Sequence, residues 1–211
     1  MPESRPPREN DWAKRHGLCG KRVFLYSGTL GFKHDPRLFL ELASEFQTAP
    51  DVRIVIISEG HGAAWLARRK SEFPTLLLLP FQTTTDFEQA LSAADVLLAV
   101  LEPEAAKFSV PSKVLSYMTA GKPILAAIAA ENLAARTIRA AGAGLTVDPR
   151  DPSGLRQQAR LLIDDAEACR RYGAAALAHA QAHFAIDDIA GRFEAVFEAF
   201  GRRRRSDPAA P

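Results

Sequence analysis

Much that would announce a function is missing from this sequence. Only two cysteines stand in 211 residues, Cys19 and Cys169, far apart and in no metal-ligand spacing. That excludes a disulfide-stapled miniprotein and makes a reducing compartment the default expectation. The apolar runs, such as Leu76–Leu79 and Val96–Leu101, are far too short to cross a bilayer. The first eight residues are polar, so no secretory signal is expected. Charge of one sign is lacking too. The 27 Lys and Arg face 25 Asp and Glu, and no basic stripe runs along a structured segment, which argues against a general nucleic-acid binder. There is no Walker A run and no Gly-x-Gly-x-x-Gly; Gly28-x-x-Gly31 and Gly60-x-Gly62 are partial at best.

What is present is a globular chain. Apolar residues make up 47% and charged residues 25%, which excludes wholesale disorder. The length suits one domain that buries roughly 70% of its unfolded surface. Short β-like runs alternate with helical stretches. The expected strands are Arg22–Ser27, Val52–Ser58, Thr75–Leu79, Asp95–Val100, Pro123–Ala127 and Gly144–Val147. They are near-continuous in Val, Ile and Leu, as strands covered on both faces are. Between them, Asp35-Pro36 opens a helix through Leu38, Leu42 and Phe46, and Thr85 to Glu88 has capping-box spacing before Ala90 and Leu91. Ser112 starts a helix that stops at Gly121, Glu131–Ala141 forms another, and Asp151-Pro152 opens one through Leu155, Ala159 and Leu162. A last helix carries Ile189, Phe193, Val196, Phe197 and Phe200 on one stripe. The fold expected is α/β, a single Rossmann-like domain with a parallel sheet of about six strands flanked by helices. Its bounds are 21–200, after a linker or entry segment at 1–20 and before a disordered basic tail at 201–211.

Ligands of such sheets bind outside the carboxyl ends of the strands. The loops to read are Gly28 to His34, Glu59 to Gly62, Glu102 to Pro111 and Ala129 to Asn132. Glycine-rich loops feeding helix starts favour anions, and Lys33 and Lys113 add charge for a diphosphate. Each signal alone is weak; their convergence on one sheet edge is what carries weight.

The segment Phe24 to Pro36 resembles the opening of the C-terminal half of GT-B glycosyltransferases of family four. So do Leu79-Pro-Phe-Gln with Leu91 to Val96, Ser109 to Pro123, and Glu131-Asn-Leu with Ala141 to Gly144 and Asp148-Pro149. The likeness is greatest to the branch that builds capsular, colanic-acid-type and O-antigen polysaccharides. It implies the donor-binding half of a two-domain enzyme, with the acceptor half absent from this chain. Lys33 and Lys113 are then the candidate catalytic residues. The donor would lie on Gly28, Thr29, Gly31, Glu59, Gly60, Phe81, Gln82, Val110, Pro111, Ser112, Ser116, Glu131 and Asn132. The family's basic pair survives only as Lys33, with Thr29 at the arginine position, unless His34 or Lys113 substitutes for the missing charge. Its two glutamates, seven residues apart, are replaced by Phe108 and Ser116.

The resemblance implies hexosyl transfer without metal or resident cofactor, from a UDP- or GDP-linked sugar, in surface polysaccharide or cell-envelope biosynthesis. The chain contains no Asp-x-Asp, and stabilisation of the departing diphosphate would fall to positive side chains. The implied partner is an N-terminal acceptor-binding domain or polypeptide, with no nucleic acid. The implied location is cytoplasmic, peripheral to the inner face of the membrane if Arg202–Arg205 touch anionic lipid on behalf of a lipid-linked acceptor. An alternative is a non-catalytic nucleotide-sugar module that works only with a separate acceptor partner. Plainer readings stand beside these: Ser112 as a helix cap, Glu131 as a helix-start acid, and His179 and His183 as surface residues rather than metal ligands.

Overall fold

The strands are β1 (Arg22–Ser27), β2 (Val52–Ile57), β3 (Leu76–Leu79), β4 (Val96–Val100), β5 (Ile124–Ala127) and β6 (Gly144–Val147). The helices are α1 (Asp11–Arg15), α2 (Arg37–Glu45), α3 (His61–Ala67), α4 (Thr84–Ala93), α5 (Pro103–Ala106), α6 (Lys113–Thr119), α7 (Leu133–Ala140), α8 (Pro152–Asp164) and α9 (Ala166–His183). This computed structural model describes residues 8–186, 189–191 and 193–198. Phe200, Arg202–Arg205 and the first seven residues lie outside them.

All six strands are parallel, in the order β3-β2-β1-β4-β5-β6. The unbroken apolar runs are explained by two cores, one on each face. Along β1, Val23 and Leu25 enter one core while Phe24 and Tyr26 enter the other. β4 divides likewise, Leu97 and Ala99 against Val96, Leu98 and Val100. α2, α3 and α8 cover one face, and α1, α4, α6, α7 and α9 supply the other. Each fully buried Leu, Ile or Phe contributes about 1.5–3 kcal/mol, so the central strands carry most of the stability. α2 and α8 are also clipped together by ion pairs, Arg156 with Glu41 and Arg160 with Glu45.

Several helix starts differ from the expectation. α4 is capped by Thr83, whose hydroxyl accepts from Asp86 N, and not by a box from Thr85 to Glu88. The helix expected from Glu131 begins at Leu133, because Asn132 is its cap. Ser112 occupies the cap position of α6 with helical dihedrals and no side-chain bond, so it does not cap. Asp151 caps α8 as expected, accepting from Gly154 N. The segment read as linker and entry is folded onto the domain from Arg8 onward. Arg8 pairs with Asp95 and Trp12 is fully buried. α9 was not anticipated at full length; its buried residues are only Ala168, Gly173, Ala176 and Ala180.

Candidate functional site

The chain leaves β1 in one direction toward β2 and β3, and returns to β4 on its other side. That reversal opens a crevice between the loops after β1 and β4, where doubly wound sheets bind ligands. The loop after β1 is latched from three sides. Leu30 N donates to both Glu59 O and Ser58 Oγ, and Gly62 N donates to Leu30 O. The Tyr117 hydroxyl, buried on α6, accepts from Ser27 N at 3.0 Å and faces Ser27 O at 3.4 Å. Burial pushes both Tyr117 and Tyr26 above the ordinary phenol range, so both stay neutral. Tyr117→Phe is expected to cost about 1–3 kcal/mol, because the half-buried Ser27 N loses its acceptor. Urea unfolding checks this, and an unchanged midpoint would mean that water replaces the hydroxyl.

Lys113 reaches back from the start of α6 to this loop. Its Nζ lies 3.7 Å from the centroid of the Tyr26 ring. Among the described residues it has no hydrogen-bond acceptor and no ion pair. Burial alone lowers it to about 7. Gly28, with φ +139°, makes room for it: a Cβ there would stand 2.7 Å from Nζ. His34 closes the pocket from the same loop. Its ring meets Tyr26 edge-on at 6.3 Å, and its Nδ1 is buried without a partner. Burial, then the charge of Lys113, lowers His34 to about 4.

The other expected residues are distributed around this crevice. Gly28 and Lys113 come together, and Thr29 meets Gly60 across the β1–β2 loops. Lys33 is exposed, and its carbonyl accepts from Glu102 N, tying the β1 loop to the β4 loop. Gly31, Val110 and Pro111 stand on those two loops, and Ser112, Ser116, Glu59 and Glu131 are exposed. Two residues have their side chains committed elsewhere. Gln82 Oε1 accepts from Trp12 Nε1 and its Nε2 donates to Pro80 O. Asn132 is 3% exposed; it caps α7 and donates to Ala106 O and Ser109 O. Phe81 and Gln82 follow β3, at the far edge of the sheet from β4. The buried surroundings of Lys113 were not legible in sequence; His34, expected only as a substitute for the missing arginine, forms a wall of the pocket.

A cavity of about 620 Å³ lies at the opposite, amino edge of the sheet. Its cations are already engaged: Arg8 with Asp95, Arg22 with Asp51, Arg170 with Glu167, and Lys122 with Ser92 O. Lys113, which among the described residues has no acidic partner, is in the crevice instead. The rings of His179 and His183 lie 4.4 Å apart on α9, tilted by 44°. Among the described residues no three His, Cys, Asp or Glu are grouped to hold a metal, and no helix is long and apolar enough to cross a membrane.

The family model of glycosyl transferases group 1 matches residues 21–165. The chain belongs to that family. No curated protein matches it in sequence. Among solved structures, WaaG, a glycosyltransferase involved in lipopolysaccharide biosynthesis, is similar with a TM-score of 0.67 at 20% identity, over 86% of this chain and 47% of its own. HepE of Anabaena, in complex with UDP-glucose, gives 0.72 at 17% identity, over 89% and 51%. The C-terminal domain of the group 1 glycosyl transferase LpcC of Francisella tularensis gives 0.65 at 14% identity, over 86% and 96%. The chain therefore spans about half the length of WaaG and HepE, and nearly all of an isolated C-terminal domain. These likenesses establish its Rossmann-like fold as that of a GT-B C-terminal domain.

Proposed function

We propose that this group 1 glycosyl transferase domain binds a nucleoside-diphosphate sugar at the β1–β4 crevice and contributes the donor half of a hexosyl transfer. The observation that carries the reading is Lys113, a mostly buried ammonium with no acid beside it, under a glycine turn at the switch point. Such a site is incomplete without an anion. As the bond from sugar to phosphate breaks, negative charge grows on the diphosphate. Lys113 and Lys33 stabilise that charge in a crevice that partly excludes water. Gly28 lets the backbone approach the phosphates. Removal of the acceptor proton is left to the acceptor half or the leaving phosphate, since no general base is assigned here. HepE, in complex with UDP-glucose, favours a UDP sugar, and WaaG, involved in lipopolysaccharide biosynthesis, favours an envelope polysaccharide. Metal independence and a peripheral membrane contact through Arg202–Arg205 belong to the same proposal.

A second reading, the non-catalytic module working with a separate acceptor partner, is supported by two features. Phe108 and Ser116 stand where the resemblance implies carboxylates. Exposed apolar side chains also stand on the segments that follow the strands at the carboxyl edge of the sheet: Phe32 (87% exposed), Phe81, Phe108 (91%), Val110 and Leu133. A thermal-shift panel of UDP, GDP, ADP, CMP and NAD with their sugar conjugates tests binding. At about 100 times Kd a ligand stabilises by roughly 2.7 kcal/mol, a rise of about 5–11 °C in a domain this size. A selective shift by one nucleoside diphosphate supports the donor site. No shift by any of them counts against both readings.

A further inference from the structure

Among the described residues the crevice gathers basic groups and no counter-charge. Lys113 Nζ rests on Tyr26, His34 stands on the edge of the same ring, and the buried Nδ1 of His34 has no partner. The carboxylates of the surrounding elements are turned to other work or stand in solvent. Asp35, one residue on, is bound by Arg37. Glu102, at the end of β4, interacts with Arg37. Glu59 after β2 and Glu131 before α7 are exposed. Tyr26 on β1 and Tyr117 on α6 are held neutral by burial. Lys33, exposed on the same loop, adds a further positive charge that disfavours protonation of His34. The pocket is therefore built to hold positive charge, yet its interior disfavours that charge while it is empty.

We infer that Lys113 and His34 form one proton-accepting anion site, and that a nucleoside diphosphate binds there together with a proton drawn from solvent onto Lys113 Nζ. The inference rests on the donor-site reading above and adds His34 to it as a positioning residue. In the empty site an uncharged imidazole spares Lys113 a second, repelling cation. When a diphosphate fills the crevice, its charge favours the ammonium, and below neutrality it favours a proton on His34 as well. The proton count is simple: the ligand enters with its phosphates ionised, buffer gives up one proton, and no bond other than N–H is formed.

The sign follows from the groups themselves. Lys113 titrates at about 7 in the free protein and is charged in the complex. Affinity is therefore highest below that value and falls as pH rises through and beyond it, by about tenfold per unit for one linked proton. His34, at about 4 when the site is empty, adds a further gain between there and its ordinary value of about 6.5.

The experiment is calorimetric titration of the full chain with UDP, and with GDP, near pH 8 in Tris and in HEPES. The terminal phosphate is then ionised, since its last pKa is about 6. The expected result is an apparent enthalpy that depends on the buffer's ionisation heat, with close to one proton taken up. Lys113→Arg, which stays charged throughout, should bind with no uptake. Should the arginine not fit, the wild-type Kd from about pH 7 to 9 gives the same information through its slope. His34→Gln should remove the extra gain in affinity below about pH 6 while leaving the uptake near pH 8 in place. Binding with no buffer dependence and a flat pH profile overturns the inference and leaves the donor site standing. Binding of neither nucleotide overturns both.

Discussion

Replacing Lys113 by methionine is expected to weaken nucleoside-diphosphate binding about 10- to 100-fold while raising the melting temperature of the same protein. The loss follows from removing a charge-assisted contact of about 1.5–3 kcal/mol, with the exposed Lys33 left as the remaining lysine of the site. The gain follows from the empty site, where the ammonium is held against an aromatic ring without an acid. Methionine fills the same volume and has no charge to desolvate. A gain of about 1 kcal/mol is expected, which is a rise of about 2–4 °C in a domain of this size. The pH dependence is specific. Lys113 falls from the ordinary lysine value to about 7 on folding, so between those values the unfolded chain binds more protons and wild-type stability rises with pH. The methionine variant's advantage is therefore full below about 7 and fades toward the ordinary lysine value of about 10.4. Thermal melts at neutral and alkaline pH, with and without UDP, check both halves. A variant that is less stable at neutral pH would mean that the ammonium is satisfied in the empty site.

Trp12→Ala is expected to remove about 3–5 kcal/mol of unfolding free energy, the range for emptying a tryptophan site in a core. Trp12 is fully buried, and its Nε1 donates to Gln82 Oε1 at 2.9 Å. The backbone there is anchored too, since Trp12 N donates to Gln89 Oε1 and the Asn10 side chain caps α1 while donating to Gln89 O. The substitution empties a large volume and orphans Gln82, at the end of the β3 loop. Urea denaturation measures the loss. A change below about 1 kcal/mol would show that α1 is laid on the domain without supporting it. Trp12→Phe separates the two contributions, since it keeps most of the volume and loses only the indole N–H.

The sheet was legible in the sequence because its strands are buried on both faces and are written as unbroken runs of Val, Ile and Leu. All six fell within one residue of their observed ends. Helices that bury leucine and phenylalanine, such as α2, were legible by their spacing. α9 was not, because it buries Ala168, Gly173, Ala176 and Ala180, and alanine carries little periodic signal. Close approach explains the choice of small residues: a Cβ on Gly173 would stand 2.5 Å from Gly121 O. The caps were ambiguous for a related reason. Thr83, Thr84 and Thr85 are interchangeable in composition, and only the path of the chain out of β3 selects Thr83. At the crevice the glycine turns and both lysines could be read off directly. That Lys113 is buried, that His34 lies beside it, and that Gln82 and Asn132 spend their polar atoms within the fold depend on three-dimensional neighbours far away in sequence.

The two bonds from Asn132 to Ala106 O and Ser109 O also bear on Phe108, which lies between those anchors and projects into solvent. A ring on a slack loop would have to be immobilised when something settled on it, and association would be opposed by that loss of freedom. Here the backbone on either side is already fixed to the start of α7. A surface meeting Phe108 thus gains contact with an aromatic whose backbone was ordered when the domain folded, so that only the rotamer freedom of the ring is left to lose on association.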